Sequence, residues 1–170
     1  MTERIIQNAY YVPNIDEGIQ QFHHLWGLGP FFVRRHIDLE NVLYRGHPAE
    51  LDISAAYTQA GDLMIELVTQ HDDAPSIFRD MYSADEGGFH HVALDFGDHD
   101  ELVHHFNQLG YESVTSFKTA EGRGATYLDT MAAVGHATEI YIVNDSLFHL
   151  YSEVKHASEH WDEKHLILEL

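Results

Sequence analysis

Apolar side chains recur along the chain with two alternating periods, and the switches between those periods mark out the elements. Residues 5–12 (Ile-Ile-Gln-Asn-Ala-Tyr-Tyr-Val) are rich in strand-forming residues and end at Pro13-Asn14, a turn signal. Ile15, Ile19, Phe22, Leu25 and Trp26 then fall at helical spacing, which predicts a helix over 16–25. Asn14 suits its N-cap, Asp16 and Glu17 suit its first turn, and Gly27-Leu28-Gly29-Pro30 ends it. Residues 31–37 read as a strand, and a looser stretch runs to about Leu51. Residues 52–58 and 63–68 read as two more strands joined by a turn at 59–62. The first half of the chain thus predicts the order β-α-β-β-β.

The same order begins again at His90. Residues 90–96 predict a strand closed by Gly97-Asp98, and 100–109 a helix with Leu102, Val103, Phe106 and Leu109 on one face. Residues 111–117, 125–129 and 138–143 predict three further strands. An offset of 91 − 7 = 84 lays Gln7 on His91, Val12 on Phe96, Asp16-Glu17 on Asp100-Glu101 and Phe22 on Phe106. The pattern is an internal repeat. It predicts an α+β fold of two tandem βαβββ modules forming one curved sheet, followed by a C-terminal helix. The modules fall at 1–69 and 89–143 within one structural domain. A polar linker with Pro75 and Gly87-Gly88 occupies 70–88, with a short helix around 76–81. In the extension 144–170, Asn144-Asp145 can cap a helix with Leu147, Tyr151, Val154 and Trp161 on one stripe. The apolar residues 166–170 need cover, either from a partner subunit or from their own chain.

Composition narrows the chemistry. With 44 % apolar and 12 % aromatic residues in 170, the chain can bury a core, which excludes wholesale disorder. No cysteine is present, so disulfides, thiolate-bound zinc and a cysteine nucleophile are excluded. The 28 acidic against 9 basic side chains give a net charge of −19, and the cations are scattered. A surface that tracks nucleic-acid phosphates needs clustered Lys and Arg, so nucleic acid is not an expected partner. Residues 1–6 lack the apolar run of a signal peptide, and no stretch approaches 18 uninterrupted apolar residues. The expectation is a soluble, cytoplasmic protein without membrane attachment.

The first and last strands of each repeat carry one polar residue among apolar ones: Gln7, Glu66, His91 and Glu139. A carboxylate inside an apolar strand is costly to bury unless it is paired or bound to a metal. Two carboxylates, an imidazole and an amide offer oxygen and nitrogen ligands suited to a borderline or hard divalent cation. Strand alternation leaves two placements open. Glu66 faces solvent, or Ile65 and Leu67 pack against the helices and Glu66 turns to the concave side of the sheet.

Residues 7–16, 61–67, 88–93 and 135–141, in that order and spacing, resemble the vicinal oxygen chelate superfamily, and the resemblance covers about residues 4 to 143. That superfamily includes glyoxalase I, methylmalonyl-CoA epimerase, extradiol dioxygenases and the fosfomycin and bleomycin resistance proteins. The resemblance implies a metal-holding cleft with Gln7, Glu66, His91 and Glu139 as ligands, the set used by zinc-type glyoxalase I. Zinc is favoured, with nickel, cobalt, manganese and iron as alternatives. The implied activity is that of a lyase or isomerase moving a proton next to a carbonyl through an enediolate or enolate, with Glu139 as base and Glu66 as ligand or second base.

The chain also departs from these relatives. After Glu66 it reads Leu67-Val68-Thr69-Gln70, without the Asn-Trp-Gly of glutathione-using glyoxalases. Residues 88–91 look closer to methylmalonyl-CoA epimerases, which carry His where Gln7 stands, and cations for CoA phosphates are few. The substrate is a small carbonyl compound not named by the sequence. A non-catalytic small-molecule-binding or resistance protein is the alternative reading, and an iron-dependent dioxygenase, which Gln7 disfavours, is the third. Tyr10, Arg123, Tyr127 and Tyr141 are candidates for contact with substrate, and the other fourteen histidines read as surface or tail residues. A homodimer is expected, with the Gln7/Glu66 and His91/Glu139 halves meeting within one chain or across two.

Overall fold

The computed structural model describes residues 4–94 and 97–170; Asp95 and Phe96, the end of the strand expected over 90–96, lie outside the described residues. The first repeat comprises β1 (Ile5–Tyr11), α1 (Ile15–Trp26), β2 (Phe31–Arg34), β5 (Ile53–Ala60) and β6 (Leu63–Gln70), with β3 (Leu39–Tyr44) and β4 (His47–Pro48) inserted after β2. A short helix, α2 (Ile77–Met81), leads into the second repeat. That repeat holds β7 (Gly88–Leu94), α3 (His99–Gln108), β8 (Ser113–Thr119), β9 (Gly124–Leu128), α4 (Met131–Val134) and β10 (Ala137–Ile142). The chain ends with α5 (Asp145–Glu159) and β11 (Ile167–Glu169). Helix starts follow the local chemistry. The Asn14 side chain accepts from the backbone N–H groups of Asp16 and Glu17, and Ser76, Asp98 and Asn144 cap α2, α3 and α5 in the same way.

The strands form one mixed sheet of 11 in the order β11-β2-β5-β6-β1-β7-β10-β9-β8-β3-β4. At its centre β1 pairs antiparallel with β7, while β1 runs parallel to β6 and β7 parallel to β10. The two repeats therefore meet edge to edge within one chain. Side-chain alternation then sorts the faces. On the convex side, Ile15 and Ile19 of α1 pack on Phe31, Val33, Ala56 and Leu67, and Leu102 of α3 packs on Leu128 and Ile140. Leu67 thus lies against a helix and Glu66 turns to the concave side. Inside the curve, Ile77 and Phe78 of α2 fill one end with Tyr11, Ile53, Val68 and Tyr127. Leu150 and Val154 of α5 fill the other with Met64.

Four segments differ from the sequence expectation. The looser stretch before Leu51 contains a hairpin, β3-β4, and β3 pairs with β8 of the second repeat. Asn41, at φ 52°, and a register shift between Glu40 and Leu43 break the period-2 pattern that would have announced it. Strands β2 and β3 stand second and tenth in the sheet yet are joined by residues 35–38 alone. Five residue steps span roughly 18 Å at most, so the sheet must curl far enough to bring its two ends together. The strand expected over 31–37 stops at Arg34, before His36 at φ 44°. The strand expected over 111–117 begins instead at Ser113, because Tyr111 N–H still bonds to the Phe106 carbonyl of α3.

The last difference concerns the extension. Trp161 leaves the stripe because α5 ends at Glu159. Its ring lies on Gly29, where a Cβ would come within 2.4 Å of it, and edges His23 at 5.5 Å. The apolar tail is covered by its own chain: β11 pairs parallel with β2, and Leu166 and Ile167 pack beside α1. Among the described residues no helix is long and apolar enough to cross a membrane. Replacing Leu150 with Ala should cost about 2–4 kcal/mol by removing the side chain that seats α5 on Met64. Urea unfolding checks it, the midpoint falling with the slope unchanged.

Candidate metal centre

The four polar strand residues meet in the concave hollow, and each reaches it by a different local route. Gln7 on β1 and Glu66 on β6 come from neighbouring parallel strands, and the Gln7 Nε2–H donates to Glu66 Oε2 at 2.7 Å. His91 on β7 sits opposite Ala9, and its Nε2 lies 3.2 Å from Glu66 Oε2 and 3.1 Å from Glu139 Oε2 on β10. Gln7 and His91 are fully buried, and Glu66 and Glu139 are only 6 % and 3 % exposed. Within each repeat a tyrosine faces the carboxylate across the hairpin: Tyr57 is the cross-strand partner of Glu66, and Tyr127 that of Glu139.

A bulge adds a second imidazole. Ala9 opposes His91 and Tyr10 opposes Phe89, so His90 is the extra residue on β7. A bulge puts two successive side chains on one face, which strict alternation forbids. The His90 ring consequently stacks on Phe78 at 4.7 Å inside the hollow, and its Nδ1 lies 2.8 Å from His91 Nδ1. Burial and the adjacent His91 charge push His90 well below the usual imidazole range, so it is neutral and accepts at Nδ1. Its Nε2–H then points to the Ile77 carbonyl at 3.4 Å. Burial alone would lower His91, but Glu139 and then Glu66 outweigh it and raise the imidazole to about 9. Burial, reinforced by the charge of Glu139, pushes Glu66 up.

These shifts describe one problem, two carboxylates sharing one imidazole away from water. In the protein alone, protons on His91 and toward Glu66 balance the charge. A divalent cation meets the same need with better geometry, since Glu66, His91 and Glu139 each offer one ligand atom and these lie within 4.8 Å of one another. The group could hold a divalent metal. Gln7 stands beside it with its Nε2 toward Glu66, while its Oε1 accepts from Tyr141 at 2.9 Å and Tyr151 at 2.8 Å. As a ligand it would need its amide turned over, a change the two hydroxyls tolerate because each can also accept. Burial, then the carboxylates, hold the phenols of Tyr57, Tyr127 and Tyr141 well above their usual range, so they stay neutral donors.

A second group, His36, Asp52 and His71, lies at the surface. Its rings stack at 4.2 Å, while His36 Nδ1 bonds Asp52 at 2.9 Å and His71 Nε2 bonds Ser54 at 2.7 Å. The buried group has no such exit for its charge.

Above the centre is a hollow of about 60 Å³ whose walls include both carboxylates, Tyr57, Tyr127, Tyr141 and Arg123. Leu147, Leu150 and Tyr151 of α5 form one side of it. Tyr127, Tyr141 and Arg123 therefore line the space. Tyr10 does not: three positions from Gln7 it faces the convex side, against Phe22 at 4.9 Å and Phe89 at 5.4 Å. Sequence reasoning missed His90, Tyr57 and Tyr151. Tyr57 was within reach, because a tight turn at Gly61-Asp62 fixes it opposite Glu66.

Comparison with known proteins places this arrangement. A family profile described as the Glyoxalase/Bleomycin resistance protein/Dioxygenase superfamily matches residues 6–127. Among solved structures, a hypothetical protein from Bacillus halodurans C-125 is similar over 83 % of this chain and 94 % of its own, at 16 % identity and a TM-score of 0.57. Methylmalonyl-CoA epimerase from Mycobacterium tuberculosis is similar over 85 % and 91 %, at 14 % identity and 0.54. A Streptomyces coelicolor methylmalonyl-CoA epimerase variant in complex with 2-nitronate-propionyl-CoA is similar over 83 % and 94 %, at 14 % and 0.52. No curated protein sequence matches the chain. At these identities the likeness is one of fold, and α5 lies beyond the profile match.

Two predictions follow from the charge balance. A metal ion must displace the His91 proton, so apparent zinc affinity should rise by about one log unit per pH unit between pH 6 and 9 and then level off. Competition against a chromophoric chelator measures it. Replacing His90 with Phe should keep the stack on Phe78 yet weaken metal binding about 10- to 100-fold, with the thermal midpoint little changed.

Proposed function

The chain belongs to the glyoxalase/bleomycin resistance protein/dioxygenase superfamily, and from that premise we propose that it is a metal-dependent lyase or isomerase moving a proton at the carbon next to a carbonyl group. The observation that carries the reading is the convergence of Glu66, His91 and Glu139 at 3.1–3.2 Å in a buried hollow whose wall is formed by the two carboxylates. Glu66, His91 and Glu139, with Gln7 as fourth ligand, would hold a divalent ion, zinc before nickel, cobalt, manganese or iron; once bound, the ion supplies polarisation of a carbonyl oxygen.

The chain's own groups move the proton. Glu139, 3 % exposed and lining the hollow, takes it from the carbon beside the carbonyl. Tyr127, opposite it on β9, orients the carboxylate. Glu66 flanks the other side of His91 and, entering the step protonated, gives its own proton to the opposite face of the carbon when the reaction is an isomerisation, while Glu139 keeps the one it took. Tyr141 and Tyr151 fix Gln7, and α5 keeps water from the centre. One chain supplies all four residues. The likeness to epimerases that bind acyl-CoA supports proton transfer as the reaction type, and the substrate remains a small carbonyl compound.

Replacing Glu139 with Gln should weaken zinc binding more than the loss of His90 does, and at saturating zinc should slow deuterium exchange beside the carbonyl by about 10²- to 10⁴-fold, followed by NMR in D2O. Full-rate exchange in that variant would remove Glu139 as base. Failure of the wild-type protein to bind any divalent ion stoichiometrically would favour the binding-protein reading instead.

A further inference from the structure

We infer that the compound taken into this hollow is a compact oxo acid whose carboxylate is held by Arg123; the placing of its carbonyl over the two glutamates rests on the proton-transfer reading above. Arg123 is 9 % exposed and lines the hollow together with Glu66 and Glu139. Its Nε is buried without a hydrogen-bond partner among the described residues. Its ion pair with Glu121 is long, at 3.7 Å, and Glu121 is already engaged by Arg34 at 3.3 Å. Two guanidiniums thus share the Glu121 carboxylate, and Arg123 holds it only weakly.

The backbone presents that charge deliberately to the inside. Arg123 O accepts from Thr119 N–H at 2.7 Å, and Gly124 passes so close to β8 that a Cβ would lie 2.4 Å from the Phe117 carbonyl oxygen. The tight crossing fixes the backbone of Arg123, whose side chain lines the hollow. A buried guanidinium with an unpaired N–H is matched by a planar carboxylate, which can accept from two donors at once.

Size sets the rest. The space next to the carboxylates, about 60 Å³, suits a small head group such as a three- or four-carbon acid. Its remaining wall is apolar, from Ile53, Ala55, Leu147 and Leu150. α5, with Tyr151 reaching Gln7 and Val154 buried, closes the side of the hollow next to Gln7. The ligand is therefore short, with a carboxylate and a carbonyl within one or two carbons of each other.

Calorimetric titration of the full chain, metal-free and zinc-loaded, with pyruvate, 2-oxobutyrate and acetoacetate, each against its methyl ester, and with propionyl-CoA, tests this. At least one acid should bind ten or more times tighter than its ester in both forms of the protein. Arg123→Gln should erase the difference and Arg123→Lys should restore part of it, while propionyl-CoA should bind more weakly than the acid. Should Arg123→Gln fail to fold, the wild-type acid-to-ester ratio and the Lys variant decide. Equal binding of acid and ester, binding of none of the acids, unchanged selectivity in Arg123→Gln, or tighter binding of propionyl-CoA overturns the assignment. Acid selectivity through Arg123 without deuterium exchange beside the carbonyl overturns the proton-transfer reading and leaves the assignment standing. Exchange into esters as fast as into acids does the reverse.

Discussion

Two carboxylates held against one imidazole, away from water, set the terms for everything around them. Glu66 and Glu139 repel each other, and each is drawn to His91. Burying such a group costs several kcal/mol per ion unless geometry and hydrogen bonds offset it. The pairing of β1 with β7 brings the three together. The Gln7 amide, the His90 ring and the tyrosines opposite each glutamate then satisfy the atoms that the charges leave over. Residues that look like separate decorations of the hollow are one network, and removing any member leaves a neighbour buried without its partner.

The repeat makes that network nearly symmetric, and the departures from symmetry assign the roles. Both glutamates stand on the last strand of a repeat, and both face a tyrosine across a hairpin. Gln7 and His91 occupy the matching positions on β1 and β7, and each follows the extra residue of a register shift, Ile6 and His90, yet only His91 carries an ionisable ring. The charge therefore leans toward the second repeat, while the amide of the first ties the centre to α5 through Tyr151.

Much of the fold was legible from periodicity because the repeats obey it. The alternation of Ile65, Glu66 and Leu67 left Glu66 either in solvent or inside the curve, and the packing of Leu67 against α1 decides for the inside. The same parity, applied to Gln7 and Tyr10, would have sent Tyr10 to the convex face. What stayed hidden has physical reasons. His90 is placed by a bulge, which breaks the alternation on which strand reading depends. Strand β3 is short and irregular, and its partner β8 lies more than 70 residues away. The part played by Tyr151 depends on how α5 docks, a tertiary contact that no local pattern encodes. The resemblance to a known family supplied the ligand roles and the sequence offered Arg123, Tyr127 and Tyr141 for the lining, but Tyr57 and the residues of α5 came only with the structure.

The two ends of the sheet carry a further meaning. An uncovered strand edge is a template on which another chain can add. Here one end finishes in β11, three residues long, and the other in β4, two residues long with Pro48 as its second. A proline has no N–H to donate, and so short a strand offers little ladder to extend. Both rims of the sheet therefore offer a second chain little backbone to pair with, and growth of the sheet from molecule to molecule is disfavoured at each.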